Sequence, residues 1–437
     1  MNVADQRILI ITCVGLLIST WGFVGDLYLV SQVLIVLSLY YFIVVALHLR
    51  FSNEVFRELM FLNGLIATFI AFVIISFFNG SFQFNSISNS FQDIPHLEWI
   101  PSSATSDVTI SKLPFVVFLL GCVIPVSFLY SNKESFGKLR SFVVLNGLCL
   151  ASAGLFVDLL GGDKMLGLIV PPSGTERYFF STFTYKNHCA IFFILCLCCA
   201  AGSFKCNHVL SNSKLKLCIG LGMVLFPVCV VLTGSRSCIV VCYILLVCFF
   251  VNRFKDISII YRLGVAVFVP SSLVAIALMF NLENYREIVN TTRLYYLNFT
   301  ETQSTTRLLL TRDTWNMFLD SYVFGWGLGS FEVVFNYYDG GYYKGEGHGK
   351  GHYYIYAHND VLQVLSEVGI IGLLLFGSLL CYPCIVFSRY KVRDGWVTTG
   401  LLIVLLYSFI EFPFRTPAVA YLFCVLFAYS FTDKYKT

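Results

Sequence analysis

The residues in this sequence best suited to chemistry are a few arginines and one histidine. Arg236 stands in Thr233-Gly234-Ser235-Arg236-Ser237, a short turn between two apolar runs. Arg307 and Arg312 lie in a long polar stretch, Asn281–Asp360, and His358 stands near its end in His358-Asn359-Asp360. A guanidinium offers a planar fork that holds two phosphate oxygens at once and keeps its charge, so a pair of arginines suits a diphosphate. An imidazole titrates near neutral pH and can take a proton from an attacking hydroxyl. Each residue also has a plainer role. Arg236 fits a snorkelling anchor at a helix end, Arg307 and Arg312 fit solvated charges on a helix face, and His358 fits a hydrogen-bonded cap residue.

These side chains must be positioned by membrane helices. The chain has 437 residues, 57% of them hydrophobic and only 12% charged, with a mean hydropathy of +0.77. Soluble domains carry about 25% charged residues. The expected class is an all-α polytopic membrane protein, and continuous rather than alternating apolar runs argue against a β-barrel. Apolar patterning predicts about 12 spans: Ile8–Gly25, Leu27–Leu49, Leu59–Phe78, Leu113–Tyr130, Phe142–Leu160, Ala190–Phe204, Leu215–Thr233, Cys238–Val251, Tyr261–Phe280, Val361–Phe387, Trp396–Ile410 and Ala418–Phe431. Ile8–Gly25 runs straight into the second apolar segment with no small-residue cleavage site, so it reads as a membrane helix rather than a leader.

Charge predicts the orientation. Of the 29 Lys and Arg, more than half fall in short segments on the side of the termini: Arg7, Arg50, Arg57, Lys133, Lys138, Arg140, Lys205, Lys214, Lys216, Arg253, Lys255, Arg262, Arg389, Lys391, Arg393, Lys434 and Lys436. The opposite short loops hold Lys112, Lys164, Arg177, Lys186, Arg236 and Arg415. Positive-inside bias makes the first side cytoplasmic. Residues 281–360 are then an outer loop between the ninth and tenth spans of a single membrane domain, 1–437. That loop is periplasmic if the source is a Gram-negative bacterium. The net charge of +4 reports orientation and gives no sign of nucleic-acid binding.

Within the long loop, Thr305–Leu319 reads as a helix, with Leu308, Trp315, Phe318 and Leu319 at helical spacing. A tight bend is expected at Phe324-Gly325-Trp326-Gly327-Leu328-Gly329, and Asn359 or Asp360 is the expected N-cap of the helix that follows. That cap puts His358 at a helix N-terminus, where anions are favoured. The 16 cysteines avoid the long outer segments Asn79–Lys112, Gly161–Lys186 and Asn281–Asp360, so they read as small packing residues rather than a disulfide scaffold. His348, His352 and His358 lack a helical face and a further ligand, so no metal site is expected. Walker, dinucleotide and GxSxG signatures are absent, as is an Asp-rich motif for a nucleotide sugar.

Taken in order, these segments resemble the bacterial O-antigen ligase superfamily, which also holds O-antigen polymerases and protein O-oligosaccharyltransferases. Tyr185-Lys186-Asn187-His188-Cys189-Ala190 resembles the run that opens a central helix in that family, and Thr233–Arg236 resembles its Ser-Arg turn. Arg307 followed by Phe324–Phe331 resembles its loop arginine and glycine-rich run. His358–Gln363, then Glu367–Gly372, resembles the His-Asn run into the next helix. The likeness covers about Thr184 to Phe376. Tyr322 stands where the family often has proline. Either Arg307 or Arg312 is the loop arginine, and counting back from Gly325 favours Arg307.

The resemblance implies a C-type glycosyltransferase fold and an undecaprenyl diphosphate-linked glycan donor, with no cofactor. By it, Arg236 and Arg307 hold the diphosphate and His358 orients or deprotonates the acceptor hydroxyl. Arg312, Lys186, Asn187 and His188 are further substrate-binding candidates at the cavity rim. The expected reaction is transfer of O-antigen to lipid A–core at the periplasmic face of the inner membrane. A polymerase acting on a growing glycan and a transferase onto protein share the donor. A transporter is disfavoured, because no internal repeat is evident and the polar residues cluster in one outer loop.

Overall fold

The computed structural model describes residues 3–22, 53–85, 90–125, 127, 133–160, 164–167, 170, 180–204, 212–280, 307–339, 354–387 and 394–430. The apolar segment Leu27–Leu49, His348 and His352 lie outside them. The described chain is helical apart from one hairpin, β1 (Phe82–Asn85) with β2 (Ser90–Asp93), paired antiparallel with Phe84 opposite Phe91. The helices are α1 (Val3–Trp21), α2 (Asn53–Phe78), α3 (Ser106–Val116), α4 (Lys133–Leu159), α5 (Lys186–Ser203), α6 (Ser213–Leu232), α7 (Arg236–Arg253) and α8 (Ile259–Phe280). They continue with α9 (307–320), then α10 (Asp360–Phe387), α11 (Gly395–Tyr407) and α12 (Pro417–Ser430).

Long apolar runs become helices because only internal hydrogen bonding satisfies the backbone away from water. Where their residues are described, the predicted spans fall largely on helix, Leu113–Tyr130 on the end of α3 and the π turn beyond it. Among the described residues, six helices are long and apolar enough to cross a membrane: Met60–Phe78, Lys133–Leu159, Lys186–Ser203, Ser213–Leu232, Arg236–Arg253 and Asp360–Tyr382. The chain is therefore a polytopic helical membrane protein. Spans Ala190–Phe204 and Cys238–Val251 become helices of 18 residues each, because Lys186–Cys189 and Arg236–Ser237 are already helical. Segment Leu113–Tyr130 also begins earlier, at Ser106, and carries Pro114 inside the helix. Proline has no N–H to donate, and the chain widens into a π turn over Val117–Val123 just beyond it.

Helix α5 is the spine. It packs against α4, α6, α7, α11 and α12, and 94% of its span is buried inside the protein. Small side chains permit this closeness. A methyl on Gly147 would meet Cys196 Sγ at 2.9 Å, and one on Gly400 would meet Cys198 Cβ at 3.0 Å. The cysteines at these crossings are free and buried, as packing residues should be. At the C-terminal end of α5, a buried Arg140–Asp394 pair links α4 to the cap of α11, where Asp394 accepts from Trp396 N at 2.9 Å.

The glycine-rich bend is built into α10. That helix breaks at Gly369 (φ 64°, ψ −171°), and residues 322–329 fill the break. Ile370 N donates to Tyr322 O (2.9 Å), Trp326 N to Ser366 O (3.0 Å) and Gly327 N to Glu367 O (2.8 Å). Backbone lies directly on backbone: a methyl on Gly325 would sit 2.4 Å from Glu367 C, and one on Gly369 would sit 2.3 Å from Val323 O. Both positions also need positive φ, which side chains resist.

Helix α9 forms where the polar loop predicts it, but its inward face differs. Leu310, Met317 and Phe318 are buried, with Leu310 and Met317 joining Phe331, Val334 and Phe335 in a second apolar cluster. Leu308, Trp315 and Leu319 are exposed. The helix is apolar on two sides, so spacing alone could not say which side packs.

The break in α10 yields a test. Gly369→Ala should lower stability by about 2 kcal/mol or more through strain and overlap. Gly377→Ala, where an added methyl meets nothing within 4 Å, should not. Thermal unfolding of the detergent-solubilised proteins measures both.

Candidate active site

Lys186, Asn187, His188, Arg236 and His358 lie at the N-terminal ends of three helices. Tyr185 to His188 open α5, Arg236 opens α7, and His358 immediately precedes α10. Helix N-termini present unpaired N–H groups and a partial positive charge. In α10 those groups are used internally. Asn359 Oδ1 accepts from Leu362 N at 2.9 Å, which makes Asn359 the N-cap. Asp360 N donates to Glu411 O (3.1 Å) and Val361 N to Ser408 O (3.4 Å). The frayed end of α11 is thereby locked onto the start of α10. His358 takes a left-handed backbone conformation, φ 51°, at the entry to that cap.

One carboxylate gathers these elements. Glu411, on the turn between α11 and α12, leaves only 3% of its side chain exposed. Its Oε1 accepts from Arg307 Nη2 at 2.7 Å and from Asn187 Nδ2 at 2.8 Å. Its Oε2 accepts from the Tyr185 hydroxyl at 3.4 Å and lies 3.4 Å from His358 Nδ1. Burial pushes this carboxyl up, but the His358 hydrogen bond and the Arg307 charge outweigh it and hold it below the ordinary glutamate value. Glu411 is thus an ionised acceptor. An ionised carboxylate cannot donate, so Nδ1 of His358 carries the proton and, in the neutral ring, Nε2 keeps the lone pair.

Next to it, Phe412 spaces the aromatic groups. Its ring stacks between Tyr185 (5.2 Å) and Tyr356 (4.7 Å), and the rings of His188 and His358 meet it at 4.8 Å each. Burial raises the Tyr185 hydroxyl well above its ordinary value, with the Glu411 charge adding to it.

The structure brings together Arg307, Asn187, His358 and, within electrostatic reach, Lys186 and Arg236: the Lys186 ammonium interacts with the charges of Arg236, Glu411 and Arg307. Arg236 itself is exposed. Arg312 pairs with the carboxylate of Asp313 at 2.9 Å, while Arg307 is the arginine seen on Glu411. Asn187 and His188 are buried rather than rim residues. His188 shares a hydrogen bond with Thr416 through Nδ1.

Sequence reading passed over Glu411 altogether. The signal was a lone acid in Ile410-Glu411-Phe412-Pro413, between two apolar runs of a charge-poor chain. Such a residue has to be paired when it is buried. Arg415 was noted only as a basic residue of a short loop. It is the centre of a second buried network, with Nε 3.3 Å from Asp360 Oδ1 and Nη2 3.4 Å from Glu367 Oε1. Glu367 also accepts from Gln363 Nε2 and from Gly329 N, each at 2.9 Å. Burial disfavours the Arg415 charge, yet Glu367 and Asp360 more than offset it and raise its pKa.

The family model described as O-Antigen ligase matches residues 221–377. The match supports the O-antigen ligase superfamily, and its range holds Arg236, Arg307 and His358 while leaving out Glu411, Arg415 and the start of α5. No curated protein matches the chain.

Removing Arg415 strands two buried carboxylates. Arg415→Ala should cost about 3 kcal/mol or more of stability, and Arg415→Lys less, since an ammonium still supplies the charge without the fork. Thermal unfolding in detergent reads both.

Proposed function

We propose that this chain, which carries an O-antigen ligase match over residues 221–377, is a membrane glycosyltransferase that moves a glycan from undecaprenyl diphosphate to an acceptor hydroxyl. The observation that carries this reading is the meeting of Arg307, His358 and the N-terminus of α5 on buried Glu411, with Arg236 and Lys186 close enough for their charges to act. Cations outnumber the one carboxylate, which suits an anionic donor headgroup.

The acceptor oxygen attacks the anomeric carbon, and the bond from that carbon to the diphosphate oxygen breaks. Negative charge grows on the leaving diphosphate. The guanidinium groups of Arg236 and Arg307, with the Lys186 ammonium, stabilise it. The acceptor hydroxyl gives its proton to the lone-pair nitrogen of His358. No cofactor and no metal ion are required by these steps.

In this reading residues 281–360 form a loop on the periplasmic side of the inner membrane, between the ninth and tenth of about 12 spans, and both termini are cytoplasmic. The fold is of the C-type glycosyltransferase kind. The acceptor is the sugar of lipid A–core, which makes the protein an O-antigen ligase. A polymerase or a protein O-oligosaccharyltransferase uses the same donor chemistry on another hydroxyl.

Arg236→Ala, Arg307→Ala and His358→Ala should each lower glycan transfer by about 100-fold or more while the protein still accumulates in the membrane. Arg312→Ala should do much less. Wild-type transfer by all three of the first set removes the site. A deletion strain decides the acceptor: free lipid A–core with accumulated lipid-linked polymer identifies a ligase, and core capped by a single repeat identifies a polymerase.

A further inference from the structure

We infer that Glu411 is the positioning residue for His358, and that it ties the state of that histidine to the arginine that receives the donor. The inference rests on the glycosyl-transfer reading above and deepens it.

The first support is the number of anchors on one side chain. Glu411 accepts from Arg307, Asn187 and Tyr185 and meets His358, with almost none of its surface exposed. A carboxylate held this way cannot swing, so it acts as a fixed template. The second is the backbone. The carbonyl of the same residue accepts from Asp360 N, so Glu411 holds both the imidazole and the peptide segment that presents it. The third is the lack of any other means of orienting the ring. Among the described residues, the only hydrogen bond of the His358 side chain is the one to Glu411, and Phe412 restrains the ring by an edge contact alone.

The two oxygens of Glu411 divide the work. Oε1 faces Arg307 and Asn187, and Oε2 faces His358 and Tyr185. A diphosphate that draws Arg307 toward itself takes a cation off Oε1. The carboxylate charge is then available to the imidazolium that forms, which favours donor binding before proton abstraction.

The proton path balances simply. The acceptor hydroxyl proton goes to His358 Nε2, the Nδ1 proton stays shared with Glu411, and the imidazolium is stabilised by the carboxylate until release. Glu411 touches neither sugar nor phosphate in this scheme.

The test uses purified full-length protein with a lipid-linked glycan donor and its acceptor. Glu411→Gln should lower kcat by about 100-fold, as for other groups that orient a working histidine, with little change in donor KM. Binding of glycan-free undecaprenyl diphosphate should be at least as tight as to wild type, because Arg307 is released. In a His358→Ala background, Glu411→Gln should cause no further loss. Glu411→Asp keeps the charge and should recover part of kcat, and it serves as the second variant if Glu411→Gln fails to fold. Loss of diphosphate binding with kcat intact, or losses that multiply with those of His358→Ala, overturns the inference. So does a Glu411→Asp protein that is impaired only in KM. Full activity of both His358→Ala and Arg307→Ala would instead sink the underlying functional reading.

Discussion

A buried negative charge must find donors, and the site end of this protein is arranged around that requirement. Glu411 has lost nearly all contact with water. Moving an unpaired carboxylate there would cost several kcal/mol. The partners that offset this come from elements far apart in sequence: Asn187 and Tyr185 at α5, Arg307 at α9 and His358 before α10. Meeting at one carboxylate brings a proton acceptor and a cation together at the site.

A second network keeps that arrangement in place. Arg415, four residues after Glu411, lies between Asp360 and Glu367. Asp360 also accepts from Phe414 N at 3.0 Å, so the turn after α11 and the first turns of α10 form one unit. Glu367 carries the connection onward, because it holds Gly329 N and lies two residues before the break at Gly369. The glycine-rich bend, the broken helix and the histidine cap are therefore parts of one hydrogen-bonded assembly. Gly325 and Gly369 permit an approach of backbone to backbone that a methyl group would forbid.

Electrostatics gives the assembly a direction. Helix N-termini at α5 and α7 add partial positive charge to Lys186, Arg236 and Arg307. Against this stands one carboxylate, already engaged. An anionic headgroup entering such a place exchanges water for fixed dipoles and guanidinium groups. That preference grows where the dielectric is low. The membrane helices that carry these residues do not supply the specificity themselves. They bury α5 so completely that its first turn is held rigidly at one end of the bundle.

Much of this was legible in the residue order. Continuous apolar runs must be helices in a membrane, so the spans could be located, and Asn359 marks the start of α10 because its side chain can replace a missing carbonyl. The types Arg236, Arg307 and His358 announce anion binding and proton transfer wherever they sit. Other features needed the tertiary structure. The packed face of α9 could not be chosen, since Leu308 and Leu310 are equally apolar and only the neighbouring Phe331 and Phe335 decide between them. Spacing from Gly325 only favoured Arg307 over Arg312, and its contact with Glu411 is visible only in the folded chain. Glu411 and Arg415 look like ordinary turn residues in a linear reading, and their roles come from partners up to 226 residues away. Local sequence therefore determined which helices form and which chemical groups exist, because backbone hydrogen bonding and side-chain type are local properties. Only the folded chain determined which groups meet, because pairing a buried charge depends on long-range packing.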